Sequence, residues 1–186
     1  IYNLIRVALR NKHAMGVYCE VFEKKLCEYF NMKYCVLCNS GSSANLLAVS
    51  ALELEEDSEV ITSACAFPTT VNPIIQNRLI PVFVDIELKT YAPKIDQIEK
   101  AISNKTKAIM LAHTLGNPCD LDEVMKIVNK NKLWFIEDNA DSIGARYRGR
   151  LTGTFGHMST LSFYPAHHIT TGEGGAVMTN DYELYR

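Results

Sequence analysis

The sequence predicts an α/β fold: a three-layer α/β/α domain around a mainly parallel sheet. Short apolar runs alternate with segments of helical period along most of the chain, the pattern of strands joined by crossover helices. A Ser/Gly-rich turn follows the first run and opens a helix, as in open α/β sheets that collect ligands at the carboxyl ends of their strands. The 186 residues are 47% hydrophobic and 22% charged, enough apolar material for a buried core.

The runs that read as strands are Tyr34 to Cys38, Glu59 to Thr62, Ile80 to Asp85, Ala108 to Ala112 and Leu133 to Ile136. Between them, Phe22, Leu26 and Phe30 share one helical face. A second helix carries Leu46, Leu47, Val49, Ser50 and Leu54 after a Ser/Asn-containing start. A third spans Leu121 to Asn129 and begins with acidic residues, which favour the positive end of a helix. From Arg146-Tyr-Arg-Gly-Arg150 to Val177-Met-Thr179 the chain is richer in Gly and Thr and reads as shorter strands joined by turns. The chain opens at Ile1 without an initiator Met and stops at Arg186 in what reads as the start of a helix, so a longer parent protein is expected.

A net charge of −2 with scattered basic residues gives no surface for nucleic acid or anionic membrane, while small anionic ligands stay open. No apolar run approaches the roughly 20 residues of a membrane span and no signal segment is visible, so the cytoplasm is the expected compartment. The six cysteines include one Cys-x-x-Cys pair, Cys35 and Cys38, inside a strand. Residues three apart on a strand face opposite ways, and no second Cys or His pair stands at zinc spacing, so buried reduced thiols are expected and no metal site.

Three segments can carry chemistry. Cys38-Asn-Ser-Gly-Ser-Ser-Ala-Asn45 places backbone N–H groups and two hydroxyls at a helix N-terminus, a cradle for phosphate. It lacks the Gly-Lys-Ser/Thr of a Walker loop and the spacing of a dinucleotide turn, and a helix cap without ligand is the alternative. Leu133-Trp-Phe-Ile-Glu-Asp-Asn-Ala-Asp141 sets Glu137, Asp138 and Asp141 just beyond a strand's carboxyl end, where acids face the ligand side. Asp138 as the cap of the next turn, and paired carboxylates for glycoside hydrolysis, are the other readings, the latter without an aromatic sugar platform. Thr160-Leu-Ser-Phe-Tyr-Pro-Ala-His-His-Ile-Thr-Thr-Gly-Glu-Gly-Gly175 runs from a strand through a Pro break and two histidines to a glycine-rich turn that lets backbone approach a ligand. Two solvated or fold-stabilising histidines are the plainer alternative.

In this order, and together with Val60-Ile-Thr-Ser-Ala-Cys-Ala-Phe-Pro-Thr-Thr70, Pro81-Val-Phe-Val-Asp85, Thr106-Lys-Ala-Ile-Met110 and His113-Thr-Leu-Gly-Asn-Pro118, these segments resemble the fold-type-I pyridoxal phosphate (PLP) enzymes of the DegT/DnrJ type, nucleotide-sugar aminotransferases and dehydratases. The resemblance runs nearly end to end. It implies that residues 1–186 are an incomplete PLP-binding large domain, with the rest of that domain and a small domain beyond Arg186. It implies a homodimer that shares its active sites across the interface. By the same resemblance Ser42 and Ser43 contact the cofactor phosphate, Ser162 adds a hydroxyl, Phe67 lies on the pyridine ring, and Asp138 faces the ring nitrogen, where a carboxylate keeps the pyridinium protonated.

In the family's aminotransferases the Schiff-base lysine comes five positions after the Ser of the Ser-Phe strand, and that position here is His167. Imidazole cannot form the covalent link, so simple transamination loses its usual base. The same replacement in a Tyr-Pro-Ala-His-His context marks the relatives that are nucleotide 4-keto-6-deoxyhexose 3-dehydratases, and Tyr164, His167 and Asp141 fit that branch. The implied activity is a lyase reaction: pyridoxamine 5′-phosphate (PMP)-dependent C3 dehydration of a nucleotide-linked keto sugar in deoxysugar or lipopolysaccharide O-antigen biosynthesis, with catalytic His167 removing a proton. A sugar aminotransferase with another base, or a non-catalytic fragment, are the alternatives. Within the branch some enzymes regenerate the cofactor with glutamate. Others use a cysteine-bound [2Fe–2S] cluster and a reductase partner, and one cluster cysteine would fall at Ala140, so a complete cluster is not expected.

Overall fold

The computed structural model describes residues 1–10 and 14–186. A seven-stranded sheet runs in the order β1-β9-β8-β5-β4-β2-β3. Its strands are β1 (Tyr34–Cys38), β2 (Glu59–Ser63), β3 (Ile80–Val84), β4 (Thr106–Ala112), β5 (Trp134–Asp138), β8 (Met158–Ser162) and β9 (Gly175–Thr179). A small hairpin of β6 (Arg146–Tyr147) and β7 (Arg150–Leu151) stands apart. Only β9 runs against its neighbours, β1 and β8; the pairs from β8 across to β3 are parallel. The sheet is therefore mainly parallel, as the sequence predicts.

Helices α1 (Tyr2–Leu9), α2 (Val17–Phe30), α3 (Gly41–Ser50), α4 (Pro68–Gln76), α5 (Ile95–Ala101), α6 (Leu121–Asn131) and α7 (Tyr182–Tyr185) complete the chain. Period-2 alternation divides the strands between two faces. On β4, Ala108 and Met110 join a core with Ala44, Ala48 and Val49 of α3 and Ile74 of α4. Ile109 and Leu111 instead pack with Ile98 of α5 and Leu121, Val124 and Val128 of α6. A third cluster seats Leu26 and Phe30 of α2 against Cys35, Leu161, Ala176 and Met178. Thus Cys35 and Cys38 do face opposite ways. Cys35 is buried and Cys38 half-buried, its Sγ donating to the Ser40 carbonyl at 3.2 Å. Burial pushes both thiols above their ordinary pKa, which keeps them protonated.

The helix ends follow local chemistry. Asp120 caps α6 by accepting from the Glu123 amide at 3.2 Å, with Asp122 and Glu123 in the first turn. Asn31 ends α2 in the left-handed region, where Asn is tolerated. Helix α3 starts at Gly41, earlier than the apolar residues from Leu46 imply, because Ser40 caps it through the Ser43 amide at 3.1 Å. It ends at Ser50, so Leu54 lies outside it. Among the described residues no helix is long and apolar enough to cross a membrane.

Candidate active site

Strands β1, β2, β4, β5 and β8 all point their carboxyl ends to the same edge of the sheet, and antiparallel β9 begins there. The segments leaving those ends enclose a cavity of about 820 Å³, the size range of small-molecule sites. Each leaves its mark on the wall: Ser40 to Ser42 after β1, Ala64 to Phe67 after β2, His113 and Thr114 after β4, Ala140 and Asp141 after β5, Tyr164 and His167 after β8.

The anion-binding end is built at the start of α3. The Gly41 and Ser42 amides find no acceptor among the described residues, as expected for the first turn of a helix. The Ser42 and Ser162 side chains stand beside them on the cavity wall. Ser43 turns inward to the cap instead: its amide donates to Ser40 Oγ, and its hydroxyl accepts from Ser40 Oγ at 3.1 Å. Gly41 is required by space rather than by dihedral angle, because a Cβ there would lie 2.6 Å from Ser162 Cβ. Gly175 is tighter still, with 2.2 Å from an added Cβ to the Ser40 carbonyl oxygen, so β9 abuts the turn entering α3.

At the other end Asp138, 6% exposed, closes β5. Its Oδ2 accepts from Thr70 Oγ1 at 2.7 Å and Asn45 Nδ2 at 2.9 Å, while Oδ1, among the described residues, accepts only from the Ala140 amide at 3.2 Å. The turn-capping role is therefore present, yet Asp138 also lines the cavity with an acceptor direction to spare. Phe67, the residue preceding α4, is 71% exposed and presents its ring at the cavity wall.

Glu137 corrects one expectation. Both acids lie inside β5, paired with Leu111 and Ala112 of β4, rather than beyond the strand. Alternation sends Glu137 to the opposite face from Asp138, where it is fully buried. Its Oε1 accepts from the Phe155 and Gly156 amides, each at 2.6 Å, and its Oε2 from the Gly153 amide at 2.8 Å. His113 Nε2 lies 3.0 Å from the same Oε2 and is the donor, since a carboxylate only accepts. Glu137 thus holds a turn in place and has no access to a ligand.

His167 is 21% exposed in its side chain and lies in the cavity wall with Nδ1 3.3 Å from Asp141 Oδ1. The Tyr164 ring meets the imidazole edge-on at 6.1 Å. With Nδ1 facing the carboxylate, Nε2 is the ring nitrogen left for a ligand. His168 is exposed and does not line the cavity. Of the residues singled out in the sequence, Ser42, Phe67, Asp138, Asp141, Ser162 and His167 come together around one space, and Ser43 braces its edge. Asn45, Thr70, Thr160 and Cys65 also border it and were not singled out.

A mainly parallel three-layer sheet, with a helix N-terminus facing a buried carboxylate across one cavity, defines the chain as part of an aminotransferase-fold protein. It belongs to the DegT/DnrJ/EryC1/StrS aminotransferase family, whose pattern matches residues 1–186. Among curated proteins it is 51% identical to a dTDP-4-dehydro-2,6-dideoxy-D-glucose 3-dehydratase of Saccharopolyspora spinosa, across 98% of this chain and 41% of that protein. It is 50% identical to the lipopolysaccharide biosynthesis protein RfbH of Salmonella typhimurium, across 97% of this chain and 43% of the relative. Among solved structures, the E. coli GDP-4-keto-6-deoxy-D-mannose-3-dehydratase with bound hydrated PLP superposes with a TM-score of 0.93 at 38% identity, covering 99% of this chain and 49% of that one. The chain spans less than half the length of these relatives.

Proposed function

We propose that the protein carrying this chain removes the C3 hydroxyl of a nucleotide-linked 4-keto-6-deoxyhexose, using PLP in its aminated form, pyridoxamine 5′-phosphate, for deoxysugar or lipopolysaccharide biosynthesis. One observation carries the reading: His167, paired with Asp141, occupies the cavity wall, and no lysine lines the cavity among the described residues. The similarity to 3-dehydratases supports it.

The residues present fit that cofactor. The Gly41 and Ser42 amides with the Ser42 and Ser162 hydroxyls would hold its phosphate, Phe67 would cover its ring, and Asp138 Oδ1 would accept from its ring nitrogen. When bound, the cofactor supplies an amine for the sugar's ketone and a protonated ring as electron sink. The chain's own part is acid–base chemistry. Asp141 orients the imidazole, so that Nε2 takes the proton whose removal drives departure of the C3 hydroxyl as water. The reading takes residues 1–186 as an incomplete PLP-binding large domain of a cytoplasmic homodimer. A reductase partner enters only if an iron–sulfur cluster forms with a ligand in place of Ala140.

Full-length protein mixed with pyridoxamine phosphate and a 4-keto-6-deoxy nucleotide sugar is expected to yield the 3-deoxygenated product, seen by mass spectrometry as loss of the C3 hydroxyl. An unchanged sugar would sink the proposal, and an amino sugar formed from glutamate would move the protein to the aminotransferases. The phosphate site has its own test. Gly41→Ala forces a Cβ against Ser162 and is expected to weaken cofactor binding roughly 10–100-fold, the worth of one or two hydrogen bonds to a charged group. An absorbance titration that finds affinity within twofold of wild type would place the phosphate elsewhere.

A further inference from the structure

Asn45 of α3 is buried, and its side-chain amide bonds to three other elements, α4, β5 and β8. Its Nδ2 donates to Asp138 Oδ2 on β5 at 2.9 Å and to the Thr69 carbonyl of α4 at 3.0 Å. Its Oδ1 accepts from Thr160 Oγ1 of β8 at 2.6 Å. The Thr69 carbonyl is free to accept because its partner in an unbroken helix would be the amide of residue 73, and Pro73 has none. These partners fix the amide orientation, since a flipped Asn45 would set its oxygen against the Asp138 carboxylate and the Thr69 carbonyl.

We infer that Asn45 is a positioning residue that holds Asp138 with Oδ1 turned to the cavity, and thereby sets the protonation of the ring nitrogen of the bound cofactor. The inference rests on the proposed cofactor reading. Asn45 and Thr70 both donate to Oδ2, so the remaining acceptor direction belongs to Oδ1. The two donors fix the plane of the carboxylate from one side. Without Asn45 the carboxylate is free to turn, and the ring nitrogen loses the acceptor that holds its proton. The ring then loses its positive charge, and with it the capacity to take up an electron pair.

The test uses full-length protein loaded with cofactor labelled with ¹⁵N in the ring, whose NMR shift reports the nitrogen's protonation across a pH series. Asn45→Ala removes the amide without adding charge. Asn45→Leu removes every partner, and Thr160→Val removes only the hydroxyl that orients Asn45. The ring nitrogen is expected to lose its proton at least one pH unit lower in Asn45→Ala than in wild type, a tenfold change in that equilibrium. Asn45→Leu should move the same way, and Thr160→Val by less. kcat should fall roughly tenfold or more with KM nearly unchanged, because the charged ring matters in the transition state.

If Asn45→Ala and Thr160→Val bind the cofactor, melt within a few degrees of wild type and titrate as wild type does, Asn45 is a brace for the fold and the inference is overturned. Should Asn45→Leu fail to fold, the other two variants decide. A wild-type ring nitrogen that is unprotonated throughout would instead overturn the placement of Asp138 in the proposed function, a result distinct from an unaltered titration in the variants.

Discussion

Replacing His167 with asparagine is expected to lower the rate of C3 dehydration by roughly 10²–10⁴-fold, the usual contribution of a positioned general base. Asparagine fills similar space and can still meet Asp141 Oδ1, now 3.3 Å from the imidazole, but it cannot accept a proton. Cofactor affinity should stay within a few-fold of wild type, because the phosphate cradle and Asp138 are untouched. His167→Lys provides the complementary result: an amine at the cavity wall should form a borohydride-trappable adduct with PLP and a matching absorbance band, neither of which wild type gives. Dehydration that survives His167→Asn within about threefold would remove His167 from the mechanism. A wild-type protein trapped as a lysine adduct would show that the site is assigned wrongly and return aminotransferase chemistry to first place.

The Asp141 contact was not legible as such. The sequence places Asp141 and His167 in one branch of the family by resemblance, whereas the 3.3 Å pairing follows from two loops leaving neighbouring strands, β5 and β8. The parallel frame itself was legible, because each strand is a short apolar run bounded by turn or helix signals. Its ends were less so. A run of apolar residues stops at the first acid, but β5 keeps its pairing with β4 through Glu137 and Asp138. Helix α4 escaped notice because Pro68 and Pro73 interrupt the usual pattern, although the first sits where a helix tolerates proline. The Asn45 network is invisible to any local pattern. It depends on Thr160 lying opposite Asp138 in the β5–β8 ladder and on Asn45 facing both from the helix above.

Glu137 and Asp138 are neighbours in sequence, and their variants should fail in different ways. Glu137→Ala strips a buried group of four acceptor contacts, leaving the amides of Gly153, Phe155 and Gly156 and the His113 imidazole without their partner. Removing one side of a buried, charge-assisted network costs about 3–5 kcal/mol. Set against the 5–15 kcal/mol that holds a typical domain folded, this is a large share, and at about 2–4 °C per kcal/mol it lowers Tm by roughly 6–20 °C. Glu137→Gln keeps one accepting oxygen but turns an NH₂ toward donors, so it should lie between wild type and alanine. Asp138→Ala should leave Tm much closer to wild type and instead abolish turnover, since the missing carboxylate is the one bordering the cavity. Thermal unfolding of the three variants beside wild type separates the roles. An unchanged Tm for Glu137→Ala would mean that the Gly153–Gly156 turn holds itself, and the buried carboxylate would then need a purpose other than the one its hydrogen bonds describe.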